Sequence, residues 1–273
     1  SEEIGRLVAT ETVQTYAGED YERILTYLYT SMNAVMQGRL QDALVEARRA
    51  NERLQEMRIA FERGEDGGTS YSQDAFMLWW VGLFLEMEGS YADAYLAYEA
   101  SWMAYERVYR PAFFVGASPW LAEDLVRSAH LARRGPDAER WARETGASGA
   151  TLDRMTSGAA EVILVHASGE APYKRQQTFQ ALTPDRYYVR VAIPELVFRS
   201  QGTSDSVLEV GGRTAPSALA EPVAQIAKVR FDERIGNIRA RAIARAVAKY
   251  AATKASEAAI RGDGRDGGRN LAG

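Results

Sequence analysis

The chain has 273 residues, 46% hydrophobic and 26% charged, with a formal net charge of −4. That composition belongs to a globular protein able to bury a core, and the length suggests two domains. With no cysteine, disulfides, thiolate zinc sites and cysteine nucleophiles are excluded.

No window approaches 18 uninterrupted apolar residues, so no membrane-spanning helix is expected. The chain begins at Ser1 without a signal-peptide pattern, which suggests a processed product that has lost its targeting segment. Charge is unevenly spread: from Gln225 onward there are 11 Lys/Arg against 5 Asp/Glu, a net +6, which leaves −10 on the first 224 residues. Blocks of opposite sign can dock on each other or on partners. The plainer reading of the basic end is a solvated helix face.

The expected organisation, in chain order, is an N-terminal arm (1–18), a helical-repeat domain (19–150), a small α+β module (151–261) and a flexible Gly-rich tail (262–273). Residues 19–146 show apolar positions at three- and four-residue spacing, the mark of amphipathic helices. They also repeat. Gly38, Gly89 and Gly135 each follow a small residue by seven positions: Ser31, Gly82 and Ser128. Ala43 and Ala94 stand five residues after the first two glycines, and Ala50 and Ser101 twelve after. The third copy is shorter after its glycine, with Ala138 in the small position early. Small residues let two helices cross closely, and a glycine ends the first helix of a hairpin in a left-handed turn. This pattern resembles the tetratricopeptide repeat, whose second helix carries an aromatic where Tyr98 stands; the first copy has Ala47 there. The stretch "GEDGGTSYSQD", residues 64–74, reads as a long loop.

The resemblance implies a concave face lined by first-helix residues: Leu28, Met32 and Val35 in copy one, Phe76, Trp79, Leu83 and Met87 in copy two. An apolar stripe of that size needs a cover. Two covers are expected in principle, the chain's own C-terminal helix or β-module and a partner's amphipathic helix.

Beyond the repeats, "EVILVHAS", "RYYVRVAI" and "SVLEVGG" are short β-branched or aromatic runs bounded by turn residues. They predict strands at 161–166, 187–193 and 206–210, with another at 174–180, forming a small antiparallel sheet. A long alanine-rich helix is expected over 221–261. It places Arg241, Arg245 and Lys249 on a basic stripe and Ile235, Ile238, Ala242, Ala246 and Tyr250 on another face. So many alanines imply close approach to a flat surface.

Taken together, "YERILTYLYTSMNAVMQGRLQDALVEARRANE", "GEAPYK" at 169–174 and "RAIARAVAKYAA" at 241–252 resemble a family of bacterial tetratricopeptide-containing envelope lipoproteins. That resemblance spans roughly residues 19–255. It implies an exported, periplasmic protein tethered to the outer membrane through a lipid anchor outside this chain, with no known catalytic activity.

Chemistry is sparse. His130 and His166 have no second histidine or carboxylate at ligand spacing, so no metal site is expected. "GDGRDG", residues 262–267, matches a dinucleotide-loop pattern but follows a helix instead of a strand, and reads as tail. Carboxylate pairs such as Glu86/Glu88 and Asp42/Glu46 are expected on charged helix surfaces. Aromatics concentrate in the acidic repeats and not in the basic end, which argues against nucleic acid.

The reading is therefore an α+β protein: a tetratricopeptide-like array, a small sheet and a long C-terminal helix. No catalytic, cofactor or metal residues are assigned. Its expected role is a non-enzymatic scaffold holding a protein partner or its own C-terminal helix in the groove. The alternatives are a self-assembling subunit whose basic helix docks on a neighbour's acidic repeats, and an enzyme with a site near His166 and "SGEAPYKR".

Overall fold

The computed structural model describes residues 18–63, 73–147, 161–183, 185–199 and 206–266. Most of the arm, of the 64–74 loop and of the far tail lies outside them. The chain is α+β. It begins with α1 (Asp20–Met36), α2 (Leu40–Glu62), α3 (Ala75–Met87), α4 (Tyr91–Ala104), α5 (Pro119–Leu131) and α6 (Gly135–Thr145). Two antiparallel hairpins follow, β1 (Tyr173–Leu182) with β2 (Tyr188–Val197) and β3 (Val207–Val210) with β4 (Arg213–Pro216), and then α7 (Val223–Asp266).

The six helices form three successive hairpins closed by one kind of turn. Gly38 (φ 71°) and Gly89 (φ 86°) adopt the left-handed conformation that a glycine takes without Cβ strain. The next amide reaches back five residues in each: Arg39 to the Ala34 carbonyl at 2.9 Å and Ser90 to Leu85 at 2.9 Å. The third turn differs from expectation. Arg133 (φ 60°), not Gly135, is left-handed, and Arg134 bonds the Ala129 carbonyl at 2.8 Å. Gly135 simply begins α6. Counted from Arg133, Ala138 stands five residues on, as Ala43 and Ala94 do. The third copy is thus shortened before its turn, between Ser128 and Arg133.

Close crossing explains the small residues. A Cβ on Gly82 would lie 2.6 Å from two ring carbons of Tyr98, so the aromatic on α4 demands glycine on α3. In the first hairpin the equivalent pair is Ser31 and Ala47, both fully buried. There the smaller partner leaves room for the Ser31 hydroxyl, which donates to the Leu28 carbonyl and accepts from Trp80 Nε1, each at 2.7 Å. Ile24, Leu44, Met77, Tyr95, Tyr98, Leu125 and Trp141 fill the core. Each such side chain contributes about 1.5–3 kcal/mol by leaving water. The end of α4 widens into a π-helical turn, Tyr105–Tyr109, with Tyr105, Tyr109 and Phe113 stacked edge to face.

The strand expected at 161–166 is not formed: these residues carry no regular secondary structure. Side chains hold them instead, with Val165 against the helical core. The strands expected at 174–180, 187–193 and 206–210 correspond to β1, β2 and β3. Gly211 and Gly212, both at positive φ, close the β3–β4 hairpin.

Two compact units result, and they do not follow the expected boundary at 150. One holds the helical hairpins, the chain to Pro172, and Phe198–Arg230; the other holds Tyr173–Val197 and the helix from Phe231. In the second unit β1 and β2 pair along ten residues, from Tyr173↔Val197 to Leu182↔Tyr188. Their turn is fixed by Asp185, which accepts from Tyr250 at 2.9 Å and pairs with Lys254 at 2.6 Å. On the helix, Ala242 and Ala246 are buried and Ile235, Ile238 and Tyr250 half-buried, so the expected apolar face is used. Ala240, Ala244, Ala248 and Ala251 are exposed, so only alternate alanines meet a surface. The helix continues to Asp266, past the expected end at 261 and through most of "GDGRDG".

Candidate functional site

The first-helix stripe is mostly closed. Leu28 and Leu83 are buried, and Met32, Phe76 and Trp79 are half-buried. Val35 and Met87, near the turns, remain exposed. Within the helical unit the chain supplies its own late segment. Ile226 is fully buried in the same core cluster as Leu28 and Leu83, beside Ala227. Polar contacts seat this segment at the helix ends remote from the turns. Tyr105 donates to the Ala220 carbonyl at 3.1 Å, Tyr109 to Glu221 at 2.8 Å, and Arg230, 3% exposed, to Asp20 at 3.0 Å.

That seat holds unusual charge. Asp74 is 1% exposed and caps α3 by accepting from the Met77 amide at 2.7 Å. Burial, then the Asp74 charge, pushes the Glu221 carboxyl well above its ordinary range. Tyr105 is raised as well, by burial and by the Glu221 and Asp74 charges.

A second polar cluster joins the second and third hairpins. Arg127, 3% exposed, meets both oxygens of Glu86 at 2.7 and 2.9 Å and Asp124 at 2.6 Å. Tyr98 donates to Glu86 at 2.8 Å and Trp79 Nε1 to Asp124 at 2.7 Å. Glu161, in the segment before β1, approaches Arg127 at 3.7 Å. Burial raises Asp124 from 3.8 to about 6, against the pull of Arg127 and the Trp79 hydrogen bond. Glu86 therefore does not sit on a charged surface; its aromatic neighbours and Arg127 enclose it. Glu88 does face out, toward Arg48 at 3.0 Å. Sequence reading missed this cluster, although Asp124 and Arg127 at i, i+3 on an apolar helix were a visible signal. Every member is paired, which locks the second and third hairpins together.

The expected basic stripe exists. Arg241 and Lys249 are exposed and Arg245 half-exposed, with Ile243 at 52% and Val247 at 58% exposure nearby on the helix. On the sheet, Phe179, Leu182 and Tyr188 are 53%, 55% and 68% exposed. Between sheet and helix lies a half-open groove of about 440 Å³, lined by Phe179, Ile193, Pro194, Phe231 and the polar Gln177, Glu195 and Arg239. Sequence reading singled out none of these groove residues, because they come from three separate elements.

His130 and His166 are exposed and lie on different segments. Among the described residues, no three His, Asp or Glu side chains gather to hold a metal, and no helix is long and apolar enough to cross a membrane. No protein-family model matches the chain, no curated protein matches it, and no solved structure matches its fold.

Proposed function

We propose that the protein is a non-enzymatic interaction scaffold of the bacterial envelope, in which the helical hairpins carry a C-terminal hairpin–helix unit completed by a protein partner. One observation supports this most. In that unit the only buried apolar residues described are Ala242 and Ala246, while Phe179, Leu182, Tyr188, Ile243 and Val247 face solvent. A two-stranded sheet on one helix gains little from its own core, and exposed apolar groups of this size mark association sites. The tetratricopeptide-like stripe supports a lesser role in capture, since the chain's own Ile226 and Ala227 share its core. The envelope setting follows from the resemblance to the lipoprotein family.

The charge division, +6 against −10, favours one second reading, in which the partner is another copy of this chain. Site-specific photo-crosslinkers at Tyr188 and Val247, with a control at Asn33 on α1, test both. Crosslinks concentrated at the first two positions, and lost with Ile243→Glu plus Val247→Glu, support the scaffold. Products of the chain with itself favour assembly. Equal crosslinking at Asn33, or none lost in the double variant, overturns the proposal.

A further inference from the structure

The groove between β1, β2 and α7 has a definite chemistry. Phe179, Ile193, Pro194 and Phe231 give it apolar walls. Its one carboxylate, Glu195, is neutralised by Arg175 at 2.9 Å and by the Gln177 amide at 2.6 Å. Those contacts also draw the carboxyl below its ordinary range. Arg239 remains, exposed at the lip, with no ion pair among the described residues. The lining thus presents apolar surface and one uncompensated positive charge.

Small-molecule sites of 300–1,000 Å³ enclose most of their ligand. This groove is only half enclosed, which suits a segment of a larger partner. A segment held in extended form alternates its side chains between groove and solvent with period two.

We infer that the groove takes an extended partner segment in which an apolar side chain enters beside Phe179 and Phe231 and a neighbouring carboxylate meets Arg239. This rests on the reading that a protein partner completes the unit, and names the chemistry of that partner. Arg239 selects acidic over basic segments, and the apolar walls supply contact area. Gln177 already gives one amide hydrogen to Glu195.

Fluorescein-labelled hexapeptides of alternating Leu and Glu, Leu and Gln, or Leu and Lys, titrated by fluorescence anisotropy against the full chain, provide the test. The expected order of affinity is Glu, then Gln, then Lys. Arg239→Glu should weaken the Glu peptide by about tenfold and favour the Lys peptide, since an exposed pair turns from attraction to repulsion. Phe179→Ser should weaken all three. Arg241→Glu changes the net charge equally on the exposed stripe and should leave the order intact. The inference is overturned if Arg239→Glu keeps the original order, if Arg241→Glu changes it as much, or if no peptide binds. Crosslinking at Tyr188 and Val247 that persists beside a failed peptide order would retire the groove and leave the scaffold standing.

Discussion

The helical unit and the hairpin–helix unit solve the burial problem in opposite ways. In the first, large aromatic side chains such as Tyr95, Tyr98 and Trp141 are enclosed to 1% exposure or less. Its interior cations, Arg127 and Arg230, are enclosed with them and ion-paired. In the second, alanines take the interior and the large side chains stay outside. Regular secondary structure is thus no measure of a finished core: β1 and β2 pair along ten residues yet bury no large side chain. One helix samples both regimes, since α7 begins in the first unit and continues into the second.

The largest test of that contrast is Arg127→Leu. It leaves Glu86 and Asp124 enclosed without their cation and should cost about 3–5 kcal/mol, read by urea unfolding. A loss below about 1 kcal/mol would mean that water reaches the cluster and that the first unit is less closed than described.

A sharper comparison uses two isoleucines on α7. Ile226→Ala, at 0% exposure, should cost about 2–4 kcal/mol by loss of packing and a cavity. Ile243→Ala, at 52% exposure, should change stability by less than about 0.5 kcal/mol. Similar losses at both sites in the purified chain would show that the outer face of α7 is already covered.

The smallest effects lie in the turns. Gly38→Ala forces a Cβ into a left-handed residue and should cost about 1 kcal/mol. Arg133→Gly removes that strain and should stabilise by a few tenths to about 1 kcal/mol in thermal unfolding. Equal and opposite shifts would confirm that the three turns share one geometry.

Much of the first unit was legible because helix crossing imposes local demands. Gly38, Gly89, Ala43 and Ala94 had to be small or glycine, and the spacing said so. Arg133 was missed because nothing in its side chain announces positive φ, while Gly135 two residues later offered a decoy. The strand expected at 161–166 failed for another reason. "EVILV" has strand composition, but pairing depends on a neighbour that no local pattern specifies, and Glu161 and Val165 found side-chain partners instead. The seven stripe residues are buried to different degrees, and the core that takes Leu28 and Leu83 also takes Ile226, about two hundred residues downstream of Leu28. The groove was illegible for the same reason: Phe179, Pro194, Phe231 and Arg239 become neighbours only once two strands and a helix have assembled.

The carboxyls in the two units give opposite answers to acid. Glu221 and Asp124 hold their protons more tightly folded than unfolded. Their unfavourable contribution is absent below about pH 4 and grows as pH rises above the ordinary carboxylate range, up to about 6 for Asp124. Asp185 is the reverse: Lys254, Thr183 and Tyr250 hold its carboxyl far below the ordinary range, so its contacts persist through mild acid and fail only in strong acid. Mild acidification should therefore tighten the seat of α7 without loosening the sheet turn. Hydrogen-exchange protection should show it, rising at residues 223–230 between pH 7.5 and 5 while residues 183–190 stay level. Glu221→Gln should remove most of the rise. A protein with this pairing is firmest around residues 223–230 where its surroundings turn sour.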